Sequence, residues 1–285
     1  MTPQSSKKSL PLAVAWMVGA LSAFLMMAIA GRELSAEIGP AQMVAYRNII
    51  CLAVLLTMLA AMGVHHARTA KPGRHLMRGT VHFLAQLAWF YAIARIPIAE
   101  VFAIEFTTPI WTAMIGVMLF GERMNATRVA AIALGFIGVV VILRPGVAIV
   151  DIAAFAALAS AFGFALTHAF TKDLVGTDKP FAILVWMNAV QLPMSLAVAG
   201  PVWVTPSEAL WPWVGAMGLT GLVSHYCLSR ALECGDMSVV VPIDFLRVPA
   251  AAVVAWMLYG ELVSPAVFVG SVLIFCGVWL NLRRA

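Results

Sequence analysis

Three ionisable residues sit where charge is costly. Glu105, Asp244 and Arg247 fall inside apolar runs, and a charge at the centre of a membrane helix costs about 2.5–3.5 kcal/mol on insertion scales, so each must face a partner or a watery space. Asp244 and Arg247 stand at i, i+3 and can neutralise each other on one helix surface. Pro109 follows Glu105 by four residues, and Pro249 follows Arg247 by two. A proline lacks an N–H and clashes with the carbonyl four residues back, here that of Glu105, which loosens the backbone beside the acid. The three charges sum to −1. A zwitterion needs one group of each sign, so the trio could receive one, and the Glu105 carboxyl could carry a coupling proton or recognise an amine. Ion pairing that only fixes helix packing is the plainer alternative; if Asp244 and Arg247 pair, only Glu105 is free.

His82, Gln86 and Trp89 share one face of a helix at i, i+4 and i+7. Each has a polar edge, and Trp89 adds a stacking surface, so they are expected to line a substrate path or to hydrogen-bond a neighbouring helix. Trp111 lies just past Glu105 and joins the candidate site. His168, with Phe164 four residues earlier, and His225, with Ser229 four later, are further candidates for substrate contact. Asn188 and Gln191 rank below them. Arg47 is expected near the outer end of its helix, anchored by Glu33 or Glu37. His65, His66 and His75 read as a solvated, lipid-facing basic loop rather than a metal site. Trp203, Trp211 and Trp213 fit an interfacial belt.

The elements that carry these residues follow from composition. The chain has 285 residues, 62% hydrophobic and 11% charged, with mean hydropathy +0.96. About 20 apolar residues cross the hydrocarbon layer, so there is room for ten short-looped crossings and none for a soluble domain. Membrane β-barrels alternate polar and apolar residues; Val129–Leu143 and Val248–Tyr259 do not. Helices are expected near 11–31, 40–63, 77–95, 99–120, 126–143, 151–172, 180–199, 210–233, 237–259 and 265–282. The first is read as a retained membrane helix, because Gly31-Arg32-Glu33 offers no cleavage site. Cys51, Cys227, Cys234 and Cys276 lie in apolar runs without CxxC spacing, so they are read as small buried hydrophobes and not as disulfides or zinc ligands.

The net charge of +5 could suggest nucleic acid, but topology explains it better. With ten helices and a cytoplasmic start, thirteen of eighteen Lys and Arg fall on the cytoplasmic side, three (Arg32, Arg95, Arg144) on the other, and two (Arg47, Arg247) within helices. Positive loops stay inside, so both termini are predicted cytoplasmic.

The chain also repeats itself. Phe120-Gly121-Glu122 and Tyr259-Gly260-Glu261 each close an apolar helix, with the two glutamates 139 residues apart. Gly138 and Gly277 recur at the same offset, and Pro109 and Pro249 stand 13 and 12 residues before the glutamates. Tyr91–Arg95 echoes Tyr226–Arg230. Two five-helix units, residues 1–145 and 151–285, result; five being odd, the second enters the membrane from the opposite side. Inverted repeats are usual in secondary transporters, with substrate held near the midplane where they meet.

These residues resemble the EamA type of the drug/metabolite transporter superfamily: Arg47, Pro109 running into Leu119-Phe120-Gly121-Glu122, Gly135-Phe-Ile-Gly138-Val139, and the second copy through Pro249, Gly260-Glu261 and Gly277. Within it the chain is most similar to the YddG-type amino-acid exporters, in its many aromatic and Met residues among small-residue helices. The resemblance implies an all-α, ten-helix inner-membrane carrier that exports small metabolites, amino acids first, by alternating access through a central cavity. Riboflavin, nucleosides and quaternary cations are alternative cargoes, and a coupling proton fits Glu105. No cofactor, metal or nucleic acid is implied, and a monomer suffices. A channel or an intramembrane enzyme is the competing class; no HExxH or GxSxG supports the latter.

Overall fold

Prolines start the helices and glycines stop them. Pro40, Pro72, Pro180 and Pro265 each open a helix at its first position, where the missing N–H costs nothing. The computed structural model describes residues 9–120, 126–144, 151–175, 177–234 and 243–282. Its α-helices are α1 (Leu10–Leu34), α2 (Pro40–Met62), α3 (Pro72–Ile93), α4 (Ile98–Glu105), α5 (Thr108–Phe120), α6 (Ala126–Leu143), α7 (Ile152–Val175), α8 (Pro180–Ala199), α9 (Trp211–Cys234), α10 (Arg247–Tyr259) and α11 (Pro265–Leu282). Among the described residues there is no strand. Among the described residues, five spans are long and apolar enough to cross a membrane: Leu10–Leu34, Pro40–Met62, Ile98–Met118, Ile152–Thr171 and Pro180–Val202. Val129–Leu143, Arg247–Tyr259 and Pro265–Leu280 are shorter apolar helices.

The helices pair across the middle of the chain: α1 with α9, α2 with α8, α3 with α7 and α6 with α11. Every pair takes one member from each half. Small residues permit the approach. A Cβ on Gly138 would stand 2.7 Å from the Gly270 carbonyl oxygen, and one on Gly277 2.6 Å from that of Ala131. Gly163 meets Ala85 in the same way, and Gly218 meets Ile50. A Cβ on Gly215, by contrast, would have nothing within 4 Å.

Two expectations need correction. The third helix begins at Pro72 rather than residue 77, so His75 belongs to α3 and is buried, not part of a solvated loop. Cys276 is exposed on an apolar helix face, whereas Cys51, Cys227 and Cys234 are buried. Gly121 and Glu122 lie outside the described residues, as do Lys7, Lys8, Arg123, Arg283 and Arg284 of the charge tally and the division expected between residues 233 and 237. Their partner motif is clear. Gly260 adopts φ +65°, its N–H reaches the Trp256 carbonyl, and the Glu261 N–H reaches that of Ala255. This glycine-centred helix stop aims Glu261 back at the first half.

Candidate functional site

The fourth expected helix is broken. A turn at Phe106–Thr107 separates α4 from α5, so the break comes before Pro109 rather than at it. Its chemistry is local: the Glu105 carbonyl, which Pro109 cannot serve, accepts from the Thr108 hydroxyl at 2.6 Å. A matching turn occupies Phe245–Leu246, just before α10. The two breaks touch, with Phe106 and Phe245 stacked at 4.0 Å between ring centroids.

Beside this stack the three charges meet. Arg247 Nη2 stands 3.4 Å from Glu105 Oε1 and 3.3 Å from Asp244 Oδ2. The Trp89 indole N–H donates to the other Glu105 oxygen at 2.7 Å. Three rings enclose the guanidinium, those of Phe102 at 4.7 Å, Phe24 at 4.8 Å and Phe106 at 5.0 Å; such faces attract a desolvated cation. Glu105 is therefore not the free acid that a simple Asp244–Arg247 pair would leave. Arg247 Nε and Asp244 Oδ1 remain buried without hydrogen-bond partners.

The α3 stripe runs from this trio into the protein, and it is one turn longer than expected. Arg78, His82, Gln86 and Trp89 are all buried. His82 Nδ1 pairs with the Gln191 amide at 2.8 Å, and its ring lies 5.5 Å from Phe164 and 6.4 Å from His225. Gln191, ranked low on sequence, is thus a direct partner of the stripe. Gln86 accepts from Arg47 at 3.2 Å, and Arg78 donates to the Thr171 hydroxyl at 2.7 Å. His225 also meets Phe24 edge to face at 6.0 Å. His168 is exposed, and His225 is partly so. The side chain of Ser229, placed with His225 on sequence, lies outside the described part of the chain.

Trp111 is held elsewhere. Its indole donates to the Thr107 hydroxyl at 3.1 Å, and Phe136 and Phe162 grip its ring edge to face. Arg47 also departs from expectation: it is buried at 1% exposure and bonded to Gln86 and Asn48, not to an acid. Its expected partners are engaged at the rim. Tyr259 donates to Glu33 at 2.8 Å, and the Ser207 backbone N–H donates to Glu37 at 2.7 Å, which holds the Glu37 carboxyl below its usual range.

Both mouths of the bundle are tied across the halves. At the mouth where α1 ends, Arg32 meets Glu261 at 2.6 Å and donates to the carbonyls of Ile93 and Ile96. The other Glu261 oxygen takes the Ile98 N–H at 3.1 Å, a carboxylate at a helix start. At the opposite mouth Asp178 receives His75 at 2.6 Å and the Thr69 hydroxyl. Burial pushes the Asp178 carboxyl up, but the Thr69, His75 and Thr177 contacts outweigh it and hold the group below its usual range. Lys71 and Arg74 bind Asp173 beside it. Among the described residues no group of three or more His, Cys, Asp or Glu is arranged to hold a metal.

The pattern of the EamA-like transporter family matches the chain twice, over residues 11–144 and 151–283. The riboflavin transporter of Rhizobium johnstonii is 29% identical over 273 residues, covering 94% of this chain and 90% of that one. The S-adenosylmethionine uptake transporter of Rickettsia prowazekii is 24% identical over 80% of this chain and 78% of its own. A solved crystal structure aligns over 98% of both chains with a TM-score of 0.67 at 20% identity, a likeness of fold alone.

Proposed function

Because this chain belongs to the EamA-like transporter family, we propose that it is a secondary carrier moving a polar, ring-bearing metabolite of the riboflavin kind across the inner membrane by alternating access. The observation that carries this reading is the charged trio at two stacked helix breaks, where half-buried Glu105 of one half meets buried Arg247 and half-buried Asp244 of the other. Broken helices at the seam of two repeats are where transporters hold substrate. The family pattern's two matches and the pairing of helices across the halves support inverted repeats of residues 1–145 and 151–285, with ten crossings and both termini cytoplasmic. Glu105 is the group we assign to a coupling proton.

Two observations favour a neutral ring system. Aromatic rings surround the trio, and the buried guanidinium groups of Arg47 and Arg78 pair with no carboxylate among the described residues. That interior opposes a cationic cargo and welcomes carbonyl acceptors. The name of the Rhizobium relative agrees. Export of an amino acid is the second reading, favoured by the trio's two acids and one base.

Purified protein in liposomes tests both. Saturable riboflavin flux, competed by riboflavin and not by amino acids, nucleosides or quaternary cations, is the expected result, and its direction distinguishes uptake from export. Stereoselective amino-acid flux without riboflavin flux selects the second reading. Ohmic conductance overturns the carrier mechanism itself.

A further inference from the structure

The polar interior has two unlike ends. Toward the Pro72 end of α3 lie Arg78 and His225, the latter 6.4 Å from the His82 ring, while Arg47 joins the middle of the stripe at Gln86. Arg47 Nε is buried without an acceptor, and neither Arg47 nor Arg78 has an ion-pair partner among the described residues. Toward the other end two carboxylates share one guanidinium, and the side chains of Glu105 and Asp244 stay 15% and 23% exposed. Phe24 spans the gap, touching His225 with its edge and Arg247 with its face. Along α3 the ends are separated by the seven residues from His82 to Trp89, about 10 Å at a rise of about 1.5 Å per residue.

We infer that these ends form one elongated ligand chamber, in which Arg78 and His225 take the carbonyl or carboxylate end of a ligand while Glu105 and Asp244 take its hydroxyl or ammonium end. A buried cation without a counter-charge is unstable, and an incoming acceptor supplies what Arg78 and Arg47 lack. The surplus negative charge of the trio calls for donors in the same way. A compact α-amino acid cannot satisfy both ends, since two bonds put its amine about 2.5 Å from its carboxyl carbon. A ligand with separated ends, such as a ring carrying carbonyls at one edge and a hydroxylated chain at the other, can. The inference rests on the reading that ligand enters this interior, but it does not depend on riboflavin being the cargo.

A length series decides it. Glycine, 4-aminobutyrate, 6-aminohexanoate and 8-aminooctanoate place amine and carboxyl at growing separations, up to roughly 10 Å by bond geometry. Their apparent affinities are read from thermal stabilisation of the purified full-length protein, with octanoate and octylamine as one-ended controls. We expect affinity to rise at least tenfold from glycine to 8-aminooctanoate and to exceed that of either control. His225→Ala is expected to weaken octanoate severalfold and spare octylamine, and Glu105→Gln to do the reverse. A flat or falling series, or equal weakening of both controls by both variants, overturns the chamber. Riboflavin flux is an independent readout: its absence alongside a rising series rejects only the proposed cargo, and its presence alongside a flat series rejects only the chamber.

Discussion

Glu105→Gln and Asp244→Asn, made singly and together, probe whether the two acids share one cation. Arg247 lies 3.4 Å from the first and 3.3 Å from the second. Each contact is a strong Coulomb attraction in a protein interior, largely offset by desolvation. Either single change leaves a neutral pair and removes the surplus negative charge. The amide introduced by Glu105→Gln would also keep an oxygen for the Trp89 indole. Each single variant is therefore expected to lose only about 1 kcal/mol, the net worth of one hydrogen bond. The double variant is different. It strands a guanidinium whose side chain is 5% exposed, and an uncompensated buried charge costs about 3–5 kcal/mol. The three phenyl faces do not rescue it, because they hold the cation in the unaltered protein as well.

The predicted coupling is thus about 1–3 kcal/mol beyond additivity, within the range of residues in one network. Equilibrium unfolding of the purified protein in mixed micelles measures it directly. Thermal unfolding gives a second reading: at roughly 2–4 °C per kcal/mol for large domains, each single variant should drop by a few degrees and the double by about 10 °C. A double variant equal to the sum of the singles within about 0.5 kcal/mol, or either single as damaging as the double, refutes the shared-cation arrangement.

Three further outcomes are expected. Glu105→Gln should retain the fold yet abolish the pH dependence of flux in liposomes; an unchanged pH profile removes the proton from that residue. Gly138→Ala should cost about 1–3 kcal/mol through overpacking, because its Cβ would meet the Gly270 carbonyl at 2.7 Å and Ile274 at 2.6 Å, while Gly215→Ala, with open space around it, should gain slightly from helix propensity; unfolding midpoints compare the two. Asp178 is held below its ordinary value of 3.8, so its stabilising effect is full above that value and is lost as pH falls through its lower folded value. Asp178→Asn should lower the midpoint at pH 7 and flatten the acid limb below about pH 4, and an unaltered limb disproves the role of the His75–Asp178 contact.

Most helices were legible because a bilayer demands apolar runs of set length and because Gly and Pro punctuate them. Where the reading slipped, the missing information was spatial. Pro72 is a helix-start signal; a start there carries His75 into α3 and sets Arg78 well inside the helix, one turn before His82 on the stripe. Arg47 could not be placed from sequence, since its partner Gln86 is 39 residues away on a different helix, while nearer acids with the right charge are taken by Tyr259 and Ser207. The break before Pro109 depends on one hydroxyl, that of Thr108. Trp111 followed Glu105 in sequence, but the turn at Phe106–Thr107 delivers it to Phe136 and Phe162 instead.

The two mouths bear on how such a seam can open. Lys71 and Arg74 reach Asp173 with side chains 34–51% exposed, and exposed pairs of this kind contribute about 0–1 kcal/mol. The cohesion of that mouth therefore rests on His75 and Asp178, whose side chains are 1% and 3% exposed. At the other mouth Glu261 does several jobs at once: it binds Arg32, starts α4 and sits on a glycine stop that fixes its direction. Opening there must release Arg32 from the Ile93 and Ile96 carbonyls as well, groups left over by the end of α3 and the turn after it. The latch is thus built from helix ends, and α4, whose start it holds, ends at Glu105 only seven residues later. If the seam opens as the proposed carrier mechanism requires, movement at this rim reaches the acid through a half-helix of less than two full turns.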